Sequence, residues 1–167
     1  AEPELPLIRR FCVAAALCND GFFGQREGRW VHHGDAVDVA LLILAHKAKI
    51  KHGELTASIP RLAEIPFEPE HRYAATLHQI DGVRTAVVKG AGEVILPMCT
   101  SMASADGDVP IDSTLLEQAA TQLAANGYRV LAIAAGSVDV KDEQSSSLTP
   151  DHLHGLVFLG YVGMIDP

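Results

Sequence analysis

Arg72-Tyr-Ala-Ala-Thr-Leu-His-Gln-Ile80-Asp-Gly-Val83-Arg-Thr-Ala-Val-Val-Lys89 is the stretch on which the fold class turns. Two β-prone runs, Arg72 to Gln79 and Arg84 to Lys89, flank Ile80-Asp-Gly-Val83, and an Asp-Gly pair between such runs signals a tight hairpin. The sheet therefore starts as an antiparallel unit. Beyond it the chain continues Lys89-Gly-Ala-Gly-Glu-Val-Ile-Leu96. Lysine and glycine both weaken a strand, so their place at a strand end suggests a point where something negative must approach the backbone closely.

Working outward, Leu62 to Phe67, Tyr128 to Ala135 and Leu156 to Ile165 read as further strands, and Arg-Trp-Val-His-His between Gly28 and Gly34 is short and β-prone. Leu5 to Leu17 is apolar and rich in alanine, giving a first helix that stops at the turn Asn19-Asp20-Gly21. Asp35 to Gly53 carries acidic residues in its first turn, lysines in its last and a glycine beyond, the punctuation of one long helix. Glu93 to Met98 allows a short helix limited by Pro97. Asp112-Ser-Thr to Asn126-Gly127 reads as a capped helix with a glycine stop. Thr100 to Pro110 and Gly136 to Asp151 read as surface loops. Hairpin strands with helices on segments of their own predict an α+β fold, a mostly antiparallel sheet flanked by helices.

The 167 residues suit one domain, and a chain of this size typically buries about two thirds of its unfolded surface. A hydrophobic share of 48% beside 20% charged residues is a composition that folds. The formal charge of -8 argues against nucleic acid as a partner, since no basic stripe displaces counterions. Cys12, Cys18 and Cys99 lack paired spacing, so neither a disulfide framework nor a zinc knuckle is indicated and a reducing, cytoplasmic setting is expected. His32-His33 and His152-x-His154 have no cysteines or carboxylates at ligand spacing, and no metal site is expected. No apolar run approaches the roughly 18 residues of a membrane span.

A dinucleotide reading of Gly90-Ala-Gly92 fails, because the third glycine, the following long helix and the βαβ setting are missing. A GxxxxGK[ST] phosphate loop is also missing. Several separated segments nevertheless stand in a telling order: Cys18-Asn-Asp20, Gly34-Asp35-Ala36-Val37-Asp38-Val-Ala-Leu41, Ile65-Pro-Phe67 with Arg72, Lys89-Gly-Ala91 with Glu93, Gly127-Tyr-Arg129-Val-Leu-Ala132, and Gly160-Tyr-Val-Gly-Met-Ile-Asp166-Pro167. Together, over nearly the whole chain, they resemble the nucleotide-binding domain of P-type cation-transporting ATPases. Ile65-Pro-Phe67 and Val162-Gly-Met-Ile-Asp166 lean toward pumps of calcium or related hard cations.

The resemblance implies a domain set into a phosphorylation domain, between an upstream D-K-T-G-T motif and a downstream D-P-P-R hinge of which Asp166-Pro167 would be the start. Residues 1–167 would then be one excised, monomeric ATP-binding domain. The phosphorylated aspartate, most Mg2+ ligands, the actuator domain and the membrane ion path would lie outside it. By the same resemblance Phe67 stacks on adenine, and Lys89 stands at the adenine and phosphate pocket, where Gly90 and Ala91 leave room. Arg72 and Arg129 match basic positions, Arg129 at phosphate, and Asp38 matches an acidic position near the adenine amino group, with Asp35 beside it. The fragment alone is expected to bind ATP without hydrolysing it.

Duller readings stand beside these. Asp35 and Asp38 are spaced as a helix N-cap and its third residue, so capping accounts for both. Phe67 suits a core, Lys89 and Arg129 suit solvated strand ends, and Glu93 suits a structural role. Pro69, Ala74 and Gly92 replace the family's frequent serine, methionine and proline, and Pro69 and Ala74 motivate an alternative in which the domain has lost its nucleotide and serves only interaction. A hydrolase built on Ser145-Ser-Ser147 lacks the strand-turn-helix setting of such a nucleophile.

Overall fold

The computed structural model describes residues 5–141 and 147–165. Ser145 and Ser146, and the proposed hinge start Asp166-Pro167, lie outside the described residues.

The hairpin forms as its sequence requires. Strands β4 (Tyr73–Ile80) and β5 (Val83–Gly90) pair antiparallel from Ile80↔Val83 to Tyr73↔Gly90. Asp81 and Gly82 take φ of 51° and 80°, the two left-handed positions of a type I′ turn. A seven-stranded sheet grows from this pair in the order β3-β4-β5-β8-β9-β6-β7, with β3 at Arg61–Ile65, β6 at Cys99–Met102, β7 at Val109–Pro110, β8 at Arg129–Ser137 and β9 at Leu156–Met164. Every pair is antiparallel except β6 with β9. The fold is the expected α+β.

Both faces of the central strands are covered. Helix α1 (Leu5–Leu17) sets Ala14, Ala15, Leu17 and Cys18 against Val87 of β5 and Ile133 of β8, with Leu41 of α2 (Ala36–Lys47) alongside. Alanines at that contact let the helix approach closely. A second layer, Cys12, Ala16, Leu42, Ala45 and Ile50, joins α1 to α2. On the opposite face Ala75, Leu77, Ala86, Val88, Ala132 and Ala134 pack with Ile95 of α4 (Gly92–Ile95), Leu96, Leu156 and Phe158.

Four boundaries differ from the sequence reading. The helix expected over Asp35 to Gly53 ends at Lys47, because Lys49 takes φ 64°, its N–H reaches His46 O at 2.9 Å and Ile50 N–H reaches Ala45 O at 2.9 Å. This is a Schellman stop with lysine in glycine's usual place, secured by the burial of Ile50. A separate helix α3 (His52–Ser58) then contains Gly53. Thr100 to Pro110 is not wholly loop, since it supplies β6 and β7. Phe22 to Arg26 is strand β1, paired with β2 (Arg29–His33) through a turn at Glu27-Gly28. Gly136 to Asp151 is not wholly surface either, because Val140 and Leu148 are buried in the core.

Candidate functional site

The residues singled out in the sequence gather at one end of the sheet. β4 begins there at Tyr73, β5 ends at Gly90 and β8 begins at Arg129, since Tyr73 pairs with Gly90 and Gly90 with Ala132. Arg72 stands one residue before β4, and Phe67 two residues beyond Ile65, which pairs with Ala75. The start of α2 brings Asp35 and Asp38 to the same end, as the contact of Asp38 with Lys89 requires.

Lys89 points to the α1–α2 face and is nearly out of water, its side chain 11% exposed against 13% for Asp38. Its ammonium forms an ion pair with Asp38 Oδ1 and donates to the carbonyl of Cys18 at 2.6 Å. The other carboxylate oxygen, Asp38 Oδ2, accepts from Asp20 N–H at 3.0 Å. Asn19 completes the arrangement: Nδ2 donates to Asp38 O at 2.9 Å, and Oδ1 accepts from Gly21 N–H at 2.8 Å. A charge this deep survives only when paired and hydrogen-bonded, and both halves of the pair are. The negative group that meets the strand-end lysine is thus a carboxylate of the chain itself.

The two aspartates separate in role. Asp35 caps α2, its Oδ1 accepting from Val37 N–H at 2.8 Å. Asp38 does not return to the cap, because its carboxylate is spent on Lys89 and Asp20. Capping explains the first and not the second. Gly34, at φ 108°, lets the turn approach Gly21, whose Cα would lie 3.0 Å from an added Cβ. That close approach seats the start of α2 against the Asn19-Asp20 turn.

Gly90 is also hemmed in by the chain itself. A Cβ there would stand 2.3 Å from the carbonyl oxygen of Arg72, so the missing side chain admits the adjoining backbone. Ala91 N–H donates to that same carbonyl at 3.1 Å. Arg72 holds φ 59°, and its guanidinium forms an ion pair with Glu93 of α4, which gives Glu93 the structural role expected of it. Phe67 is no core residue, being 59% exposed. Arg129 is exposed and, two steps beyond Leu131 and four beyond Ile133, shares the face of Lys89. The contacts of Cys18, Asn19 and Asp20 were missed as site partners. Their signal was the Cys18-Asn-Asp-Gly21 stretch, read as a helix stop and as a family segment but given no site role.

The sequence profile of the P-type ATPase cytoplasmic domain N matches residues 7–167. The chain belongs to this family. Among its relatives, the cation-transporting ATPase pma1 of Synechocystis sp. is 40% identical over 163 residues, covering 97% of this chain and 18% of the relative. The probable cation-transporting ATPase F of Mycobacterium bovis is 32% identical over 162 residues, covering 96% of this chain and 18% of the relative. The calcium-transporting ATPase 1 of Lactococcus lactis subsp. lactis is 32% identical over 155 residues, covering 92% and 17%. The domain thus spans less than a fifth of the length of these relatives. Among its described residues no helix is long and apolar enough to cross a membrane.

Proposed function

We propose that the chain is the ATP-binding unit of a cation-transporting P-type pump, holding the γ-phosphate out to an aspartate of a separate phosphorylation domain. The observation that supports this reading most is that Asp38, Lys89, the exposed ring of Phe67 and Arg129 stand at one sheet end, with Arg72 beside them engaged by Glu93. Adenine would stack on Phe67, which has no burial role to explain it. Its amino group would donate to Asp38, whose two oxygens offer about four lone-pair sites and have two occupied. Lys89 would hold that carboxylate in place, and Arg129 would meet phosphate with its planar fork. The glycine and alanine after Lys89 would keep the strand end low beneath the nucleotide.

The domain would contribute positioning, which dominates phosphoryl transfer, with Mg2+ held mostly by ligands of the neighbouring domain. Residues 1–167 would act as one unit, with Asp166-Pro167 leading into the hinge. Without a phosphate-cradling loop, binding is weak, about 0.1–10 mM, where 1 mM corresponds to about -4.1 kcal/mol. Calorimetry with ATP is the test. Saturable heat that weakens by about 1–3 kcal/mol in Phe67→Ala, for adenosine as well as ATP, supports the reading. Absence of heat favours the interaction domain that has lost its nucleotide.

A further inference from the structure

The sheet face opposite α1 and α2 carries a groove that meets the nucleotide reading only at Ala91, on its rim. It lies between α4 with its following turn and α5 (Ser113–Ala125), and its volume is about 660 Å³. Sites for small molecules run to about 300–1,000 Å³. The groove exists because α5 sits high on the sheet: none of its thirteen residues is buried, and Ala120 and Ala124 face the opening. Across from them stands Gly92, where a Cβ would lie 3.0 Å from the ring of Tyr161.

The lining is electrostatically one-sided. Among the described residues it holds Glu93 and Glu117 and no lysine, arginine or histidine. Glu93 is already engaged by Arg72, whereas Glu117 has no ion pair among the described residues. The hydroxyl of Tyr161 is buried in the wall and has no hydrogen-bond partner among the described residues. Its ring is held edge-on to Phe158 with centroids 4.8 Å apart. Burial raises the pKa of this hydroxyl, and the charge of Glu117 adds to the rise, so the carboxylate's field reaches the phenol. Buried polar atoms are nearly always paired, and this one stands in the wall, out of reach of the groove itself. Val130 and the ring of Tyr128 supply apolar and aromatic surface next to it.

We propose that this groove binds a compact amphipathic organic cation, a protonated amine on an apolar body. The ammonium donates to the Glu117 carboxylate, and the body lies over Val130, Ala120 and Ala124 beside the Tyr128 ring, with the Tyr161 ring as part of the wall. A cation is favoured over a neutral ligand because the free charge in the lining, among the described residues, is the negative one of Glu117.

The test is a two-dimensional NMR titration of the whole 167-residue chain with 2-phenylethylammonium chloride at constant ionic strength, paired with 2-phenylethanol as the neutral analogue. The expected result is saturable shifts at Gly92, Thr121 and Tyr161, with a Kd of about 1–10 mM. Affinity should fall about five-fold or more in Glu117→Gln, the size of one lost hydrogen bond, and stay within about two-fold in Tyr161→Phe, whose hydroxyl is sealed in the wall. Glu117 is exposed and the Tyr161 hydroxyl lacks a partner, so both variants should fold; their thermal midpoints check this. No saturable shift, equal affinity for the alcohol, or affinity unchanged in Glu117→Gln overturns the proposal. Signals of Lys89 and Gly90, at the sheet end, report separately on ATP, so the two readings fail independently.

Discussion

The two faces of the sheet are finished in opposite ways. On the α1–α2 face an ion pair, Lys89 with Asp38, is almost wholly enclosed at 11% and 13% exposure and carries three further hydrogen bonds through Cys18, Asp20 and Asn19. On the α4–α5 face the pair Arg72 with Glu93 stands in solvent at 52% and 68%, and α5 buries no residue at all. The contrast teaches that the same chemistry has different consequences at different depths. Enclosed, a pair rigidifies what it joins; exposed, it is screened and leaves its elements freer.

Substitutions that treat the faces alike should not act alike. The largest difference is expected between two glycines. Gly90→Ala places a Cβ 2.3 Å from a backbone oxygen that moves only if β4 parts from β5, and should cost more than about 3 kcal/mol in denaturant unfolding. Gly92→Ala meets only the edge of the Tyr161 ring at 3.0 Å and should cost less than about 1 kcal/mol. Equal costs would erase the distinction.

Next come the ion pairs. Lys89→Ala leaves Asp38 enclosed without its cation, and without nucleotide present should lose about 3 kcal/mol. That is a fall of about 6–12 °C in Tm for a domain of this length. Glu93→Gln should change stability by less than about 1 kcal/mol, since its pair is exposed. A Lys89→Ala variant as stable as the parent would show that the enclosed pair does not hold α2 to the sheet.

The smallest effect concerns pH. His78 is buried at 1%, with Nδ1 against Pro60 O at 3.2 Å and Nε2 against Thr76 Oγ1 at 2.8 Å. Burial lowers its pKa, the charge of Arg61 lowers it further, and the Pro60 and Ile59 carbonyls oppose them. The folded state therefore keeps His78 neutral, while the unfolded chain takes up a proton near pH 6.5. Stability from this residue is full above that value and is lost as pH falls toward the folded pKa. Unfolding free energies measured from pH 7.5 to 5 should decline, with a shallower slope in His78→Asn. Burial of the half-enclosed His52 acts in the same direction and remains in that variant.

What could be read beforehand was whatever local chemistry decides. Asp81-Gly82 determined the hairpin, and Asp112 with Gly127 bracketed α5, where the Asp112 carboxylate accepts from Leu115 N–H at 3.1 Å. What could not be read depends on partners distant in sequence. β6 is short and polar and becomes a strand only through parallel pairing with β9, more than fifty residues away. The stop at Lys49 depends on Ile50 finding the α1–α2 layer. β1 is a five-residue run made a strand by β2. The site divides similarly. Residue types at the sheet end followed from resemblance, but the enclosure of Lys89 by Asp38, 51 positions away, follows from packing α2 and the Asn19 turn onto β5.

The most direct measurement of the central claim is an amide NMR titration of the chain with ATP. If the end of the sheet is the nucleotide seat, signals of Asp38, Phe67, Lys89, Gly90 and Arg129 move together along one saturation curve, while those of Thr121 and Tyr161 in the opposite groove stay in place. Shifts confined to the groove, or none at the sheet end at saturating ATP, would contradict the account.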